Sequence, residues 1–336
     1  MSQKLNITAL VDEGEIPAGD PDFSTPDNSS RTEYHVVAAL RELGHNVSVL
    51  GAGENTTAMV TTLTDSKPDL VFNLTEHIGG NRQQDKNIAA LLEIMQIPFT
   101  GTGVNGLLLT RDKRLCKRLL SSHRIRVPGF ASLPMNKPVR VSKKLHYPLI
   151  VKPALEDSSE GITNASVVAD EDELKERVEF IHSRWQQPVI AEEYVEGREL
   201  YTSILGNSRL FVLPVRECIF THQAGKGPQL ATYRVKFNKQ YREKWGIEFG
   251  FADLETSILK HIEHVCKRVY RALQIRDYGR IDLRLTDDNQ VIILEANANP
   301  DLAYGEEIAE AAEKAGFAYA VFIDRILKTA LRRYRC

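Results

Sequence analysis

Gly279-Arg280-Ile281-Asp282-Leu283-Arg284-Leu285, followed after a polar turn by Val291-Ile292-Ile293-Leu294-Glu295-Ala296-Asn297, decides how this chain is read. In the first run Ile281, Leu283 and Leu285 alternate with Arg280, Asp282 and Arg284, the period of a strand. The second run is β-branched and apolar until Glu295 and Asn297 interrupt it. Asp287 to Gln290 supplies residues that turns tolerate. A hairpin centred on Asp288-Asn289 places Asp282 opposite Glu295 and Arg280 opposite Asn297, all on one face. Opposed carboxylates destabilise a sheet. A divalent cation removes that penalty, and Mg²⁺ is held by one or two carboxylates together with substrate phosphates. A register slip of one residue would undo the pairing. The plainer alternative is a solvated acidic face, but Val291 to Leu294 is too apolar for a freely exposed hairpin.

Outward from the hairpin, 336 residues are enough for two or three compact units. Hydrophobic content of 42% and charged content of 26% are those of a soluble globular protein. A net charge of −2 gives no reason to expect nucleic acid or an anionic membrane as partner. No apolar run approaches the roughly 18 residues of a membrane span, and the start lacks a signal-peptide core. Cys116, Cys218, Cys266 and Cys336 are scattered, as reduced thiols are in a cytoplasmic protein.

The first third reads as alternating strands and helices: strand Leu5–Val11, a helix capped by Thr32 and running to Leu43, strand Asn46–Leu50, strand Leu70–Leu74 and helix Asp85–Met95. That alternation predicts a parallel α/β layer. Loops at the carboxyl ends of its strands, Asp12–Ser30 and Thr75–Gln84, should face a substrate. From Pro98 a second unit begins: a turn-rich connector through Gly103, a basic helix Asp112–Ser122, strand Tyr147–Pro153, helix Asp170–Ile181 and strand Val189–Glu193. The third unit holds strands Leu200–Leu205 and Arg209–Val215, a long polar segment Thr221–Phe251, helix Leu254–Leu273 and the hairpin. The domain limits are placed at 1–103, 104–198 and 199–336, with 221–251 as a lid loop.

Several side chains point to phosphate chemistry. Lys152 lies inside an apolar strand and needs an anionic partner, a phosphate or a structural carboxylate. The loop Asp157 to Gly161 can offer backbone N–H groups to phosphate oxygens. No G-x-x-x-x-G-K-[ST] and no G-x-G-x-x-G occurs, so neither a P-loop nor a dinucleotide fingerprint supports this. Glu192, Glu193 and Glu199 bracket a turn at Gly197, and Lys113 stands on the basic helix. Taken alone, each of these reads as a solvated charge.

Together the ordered set resembles a known family. Lys113 in R-D-K, Lys152 in Y-P-L-I-V-K-P, then E-D-S-S-E-G-I, I-A-E-E-Y-V-E-G-R-E-L, G-R-I-D-L-R and L-E-A-N-A-N-P follow one another as in the ATP-grasp superfamily, in its D-alanine–D-alanine ligase-like branch. The likeness runs from Phe72 to about Gly305. It implies an ATP-grasp α/β fold with an N-terminal Rossmann-like parallel sheet. It also implies a cytoplasmic homodimer that uses ATP and Mg²⁺ or Mn²⁺ to join a small carboxylate to an amine. By the same likeness Lys113, Lys152 and the lid residue Lys236 contact phosphates. Glu192, Glu193 and Val195 surround the adenine, and Glu199 holds the ribose. Ser158 closes over the phosphates, Asp282, Glu295 and Asn297 hold the metal, and Arg280 stabilises the tetrahedral intermediate.

The departures bear on substrate. The N-terminal Gly-Gly-x-Ser-x-Glu stretch is absent, and Glu33 is the nearest acid before an equivalent helix. The expected His-Gly pair becomes His77-Ile78. The glycine after N-x-N-P is Asp301, and Glu306 stands where a serine would take the second substrate's carboxylate. Acids there repel a carboxylate and favour an ammonium. The expectation is therefore a carboxylate–amine ligase acting through an acyl phosphate on substrates other than two D-alanines. A tailoring ligase for a larger peptide or metabolite acceptor and a non-catalytic ATP-binding regulator are the alternatives.

Overall fold

The computed structural model describes residues 4–25, 31–157, 159–221 and 230–334. The first sheet is parallel, in the order β2-β1-β3, from β1 (Asn6–Asp12), β2 (Asn46–Ala52) and β3 (Leu70–Asn73). Ile7, Ala9, Leu10 and Val11 are all at most 1% exposed, because helices cover both faces. On one face Ile7 meets Val36 and Leu40 of α1 (Thr32–Glu42) and residues of a C-terminal helix. On the other, Leu10 meets α2 (Thr56–Ser66) and α3 (Asp85–Ile94). Arg31, not Thr32, is the N-cap of α1 and makes no side-chain cap bond. The Thr32 hydroxyl instead donates to Asp301 Oδ1 at 2.6 Å. The sequence reading passes over α2, whose threonines are poor helix formers. The Asn55 side chain starts it by accepting the Ala58 amide at 3.2 Å.

The connector at Gly103 leads into a further unforeseen helix, α4 (Val104–Arg111), and then α5 (Lys113–Ser122), capped by the Asp112 carboxylate. The second sheet is antiparallel, in the order β4-β7-β5-β6, from β4 (Phe130–Leu133), β5 (Leu149–Pro153), β6 (Val167–Val168) and β7 (Val189–Glu193). Between β6 and β7 runs α6 (Glu171–Trp185). It packs Leu174, Val178 and Ile181 against Leu149, Val151, Val189 and Ala191.

The third sheet runs β11-β10-β8-β12-β13, with β9 also paired to β8. It is built from β8 (Arg198–Gly206), β9 (Leu210–Val212), β10 (Arg216–Phe220), β11 (Ile247–Phe251), β12 (Tyr278–Leu285) and β13 (Val291–Asn297). Two short helices, α7 (Tyr233–Phe237) and α8 (Lys239–Trp245), and strand β11 occupy what the sequence reading leaves as an unstructured lid. Strand Arg209–Val215 is likewise shorter than foreseen, and β10 follows it as a separate strand. Across the sheet lies α9 (Thr256–Ala272), packing Ile262, Cys266 and Val269 on Leu200, Ile204, Ile281 and Ile293. Both α4 and α5 rest on β13, and α5 also packs on α9. The chain ends in α10 (Glu307–Lys314) and α11 (Tyr319–Tyr334), whose Phe322 and Ile326 return to α1 and the first sheet. Gly197, at φ 130°, lets the β7–β8 turn pass under the Leu285 carbonyl, where a Cβ would stand 2.3 Å from the oxygen. Among the described residues no helix is long and apolar enough to cross a membrane.

In the hairpin, Asp282 pairs with Glu295 and Arg280 with Asn297, as expected. The register next to the turn differs: Leu283 pairs with Ile293 and Leu285 with Val291. Leu294 is therefore an extra residue, a β-bulge. Without it Asp282 would oppose Leu294 and Glu295 would face away.

Candidate active site

A cavity of about 710 Å³ opens where β12, β13, the start of α5 and the loop after β3 converge, beneath α7 and α8. Lys113, Lys236, Arg280, Glu295, Asn297, Asp301 and Glu306 line it, together with Thr75, Glu76, Arg82, Asp157 and Arg216. Of the two loops expected to face substrate, Thr75–Gln84 lines this cavity through Thr75, Glu76 and Arg82. The described part of Asp12–Ser30 contributes no lining residue.

Lys113, Arg280, Asp282 and Glu295 are already paired with one another or with Glu307. Lys113 is 5% exposed, and its ammonium lies 2.8 Å from Glu295 Oε1. Burial pushes the Glu295 carboxyl up, but Lys113, aided by Lys152 and Lys236, brings it down to about 2. Arg280 donates from Nε to Asp282 Oδ1 at 2.8 Å and from Nη2 to Oδ2 at 3.1 Å. Its Nη1 reaches Glu307. Burial raises the Asp282 carboxyl despite Arg280 and Lys236. Lys236 sits on α7 with its ammonium 5.9 Å from the Tyr201 ring centroid.

Asp282, Glu295 and Asn297 fit a magnesium ion by chemistry. They offer two carboxylates and an amide from neighbouring rungs of one hairpin, all hard oxygen donors. Among the described residues the buried Asn297 Nδ2 has no hydrogen-bond partner. Among the described residues no cluster of three or more His, Cys, Asp or Glu forms a protein-only cage. Phosphate oxygens would complete the shell.

Other expected site residues lie outside the cavity wall. Glu192 is fully buried, with Oε2 3.0 Å from Lys152 Nζ and Oε1 3.3 Å from Lys117 Nζ. Burial raises its carboxyl, but the two lysines together hold it below the usual range. Lys152 thus has a structural carboxylate as partner here. Glu193 projects to the opposite face of β7 and bonds His146 at 2.9 Å. Val195 is half-buried in the β7–β8 connection. Glu199 accepts from Tyr201 Oη at 2.9 Å and from Arg284 at 2.6 Å. His77 lies 3.5 Å from Asp12, whose carboxylate accepts the Glu76 and His77 amides. Glu33 opens α1, where burial raises its carboxyl and Glu15 and Asp301 add to the rise. Ser158 falls outside the described residues.

Sequence reasoning misses several contributors. Asp157 binds both Arg82 and Arg111, and Arg111 also binds Asp85. This network ties the loop after β3 to the loop after β5. Its only sequence signal is an acid at the head of a small-residue loop. Glu307 and Glu310, one turn apart on α10, neutralise Arg280 and Arg216.

Comparison with known proteins gives the family. Residues 124–328 match the model described as D-ala D-ala ligase C-terminus. The chain belongs to the D-alanine–D-alanine ligase family. It is therefore an ATP-dependent ligase that forms C–N bonds. The D-alanine–D-alanine ligase of Bordetella avium is 32% identical over 76% of this chain and 77% of its own length. The uncharacterized protein y4sG of Sinorhizobium fredii is also 32% identical, over 94% of this chain and 91% of its own. The crystal structure of the Bacillus anthracis D-alanine–D-alanine ligase complexed with ATP superposes with a TM-score of 0.76. It is 20% identical and covers 98% of this chain and 99% of that one. The fold is thus the ATP-grasp α/β fold, with its N-terminal parallel sheet.

Proposed function

We propose that this D-alanine–D-alanine ligase relative joins a small carboxylate to an amine acceptor that carries a cationic group where D-alanine carries a carboxylate. The observation that carries this reading is that Glu76, Asp301 and Glu306 line the same cavity as Lys113, Lys236 and Arg280. The wall around Glu306, crowded further by Asp301, holds its carboxyl above the usual range. Arg280 and Arg216, two arginines of that lining, are paired with Glu307 and Glu310.

ATP supplies the phosphoryl group. The first substrate's carboxylate oxygen bonds to the γ-phosphorus as the bond to ADP breaks. The acceptor nitrogen then bonds to the acyl carbon, loses a proton, and inorganic phosphate leaves. Such transfer needs alignment and charge neutralisation rather than a protein nucleophile. Lys113, Lys152 and Lys236 would hold phosphate oxygens. Glu192, Glu193 and Val195 would border the adenine, Glu199 the ribose, and Ser158 the phosphates. Asp282, Glu295 and Asn297 would hold Mg²⁺, which offsets charge on the transferring group. Arg280 faces the negative charge that develops on the acyl oxygen. Glu33 and His77 would shape the substrate side. Water must be kept from the acyl phosphate, and α7 and α8 cover the cavity for that purpose.

The test is ADP release across a matrix of small carboxylates and amines, with products identified by mass spectrometry. Release that requires both a carboxylate and a cationic amine supports the reading. Turnover with D-alanine alone at least equal to any other pair overturns the substrate part. Absence of turnover with every pair, D-alanine included, removes the ligase assignment.

A further inference from the structure

Lys117 has no part in the chemistry above, yet it is one of the most enclosed charges in the chain. It follows Lys113 by one turn of α5 and is 1% exposed. Its ammonium donates to the Leu294 carbonyl at 2.8 Å and lies 3.3 Å from Glu192 Oε1. Leu294 is the bulged residue, and the bulge alone brings Glu295 opposite Asp282. A bulged residue is displaced from the ladder, so its buried carbonyl needs a partner from elsewhere. Lys117 provides that partner from a different part of the chain.

We propose that Lys117 is a positioning residue that sets the register of the metal-binding carboxylates and keeps Glu192 neutralised when Lys152 turns to phosphate. The second role follows from charge. Glu192 is wholly buried between two lysines. If Lys152 leaves for the nucleotide, a lone buried carboxylate remains, and that is costly. Lys117 is also tied to the Leu294 carbonyl and can stay. The inference rests on the proposed ligase site, because it assumes a divalent cation between Asp282 and Glu295.

The experiment uses the full chain with ADP and Mn²⁺ as probe, reading bound Mn²⁺ by electron paramagnetic resonance. Folding is followed by circular dichroism, and metal-free ADP binding by calorimetry. Lys117→Met keeps the aliphatic stem and removes the ammonium. The expected result is a folded protein whose Mn²⁺ affinity falls about 10- to 100-fold, the size seen when groups that orient metal ligands are removed. Lys117→Arg, which keeps charge and donor, should recover most of that loss. In Lys117→Met/Glu295→Gln the two losses should not add, since both act on one ligand. A folded Lys117→Met protein with unaltered Mn²⁺ affinity overturns the proposal. If that variant does not fold, Lys117→Gln against Lys117→Arg decides: equal Mn²⁺ affinities overturn it, and a loss in Gln alone supports it. Unmodified protein that binds neither ADP nor Mn²⁺ would remove the ligase site itself, a failure separable from the variants' behaviour.

Discussion

Lys113 Nζ lies 2.8 Å from Glu295 Oε1, joining the first residue of α5 to β13 at the cavity wall. The lysine proposed for phosphate and the carboxylate proposed for the metal thus neutralise each other. On the proposed reading, nucleotide and cation binding together would give Lys113 a phosphate and Glu295 a metal ion in place of each other. The pair keeps two buried charges satisfied until then.

Loss of either hairpin carboxylate should therefore silence the enzyme without unfolding it. Asp282→Asn and Glu295→Gln preserve shape and hydrogen-bonding atoms. ATP turnover should fall by about 10²-fold or more, the scale of removing one preorganised electrostatic group. Circular dichroism should show both variants folded, with Glu295→Gln losing only the stability its pairing with Lys113 supplies. Turnover retained in both variants would remove the metal assignment.

The same pair sets an acid-side stability term. Glu295 titrates at about 2 in the folded chain, against 4.5 for the free side chain. A lowered carboxylate pKa means that the unfolded chain binds the proton more readily. This contribution is full above pH 4.5 and is lost as pH falls toward 2. Denaturant melts of the unmodified protein and Glu295→Gln should differ most above that window and converge within it. A difference that grows on acidification would contradict the assigned pairing.

How much of this was legible in the sequence differs by residue. The opposition of Asp282 and Glu295 could be read from alternation and turn chemistry, but the inferred register was right only beyond Leu294. The bulge is stabilised by Lys117, whose distance along the chain hides it from any local pattern. The burial of Lys113 and Lys117 was equally hidden. Lys113 and Lys117 share one broad basic face of α5 with Arg114 and Arg118, so the pattern does not separate the buried lysines from the exposed Arg118. The helix α2 went unseen because Thr56, Thr57, Thr61, Thr62 and Thr64 weaken its propensity, and packing of Met59 and Leu63 decides the outcome. Glu306 was legible only as a departure from a family pattern, and the pairing of Glu307 with Arg280 was not legible at all.

Lys236 offers a test of the lid. It lines the cavity from α7, and its charge acts on Asp282, Glu295 and Glu307. Lys236→Met should lower kcat by about 10²- to 10³-fold while the KM for ATP changes little, because the charge matters most as phosphate develops in transfer. Lys236→Arg should restore part of kcat. A variant with raised KM and unchanged kcat would show that the residue serves binding alone.

The core thiols give an independent check on packing. Burial pushes Cys116 and Cys266 up to about 12 and raises Cys218 further. Only a thiolate attacks a disulfide reagent at a useful rate. In a Cys336→Ser background the native protein should leave Cys116, Cys218 and Cys266 unreacted toward Ellman's reagent, and denaturant should expose all of them. Rapid labelling of any one in the native state would show that its helix or strand is not packed as described.

Acceptor choice is the prediction with the widest consequence. Glu306 and Asp301 stand on the loop between β13 and α10, and both line the cavity. Asp301 Oδ1 is held by the Thr32 hydroxyl at 2.6 Å and the Ala303 amide at 2.8 Å, so its charge is fixed in place. Glu306 has no such anchor among the described residues, and it can approach the acceptor. Glu306→Ser removes a negative charge from the position that would otherwise meet a substrate carboxylate. Like charges set against each other in a binding site cost several kcal/mol. The variant should therefore gain about tenfold or more in kcat/KM for amino-acid acceptors such as D-alanine and lose a comparable factor for cationic amines. Asp301→Gly should move in the same direction but also lower stability, since it frees Thr32 and the turn at Ala303. Steady-state rates with matched pairs of acceptors, differing only in a carboxylate or an ammonium, decide the matter. If Glu306→Ser slows both acceptor classes equally, the residue shapes the loop and does not select the charge of the substrate.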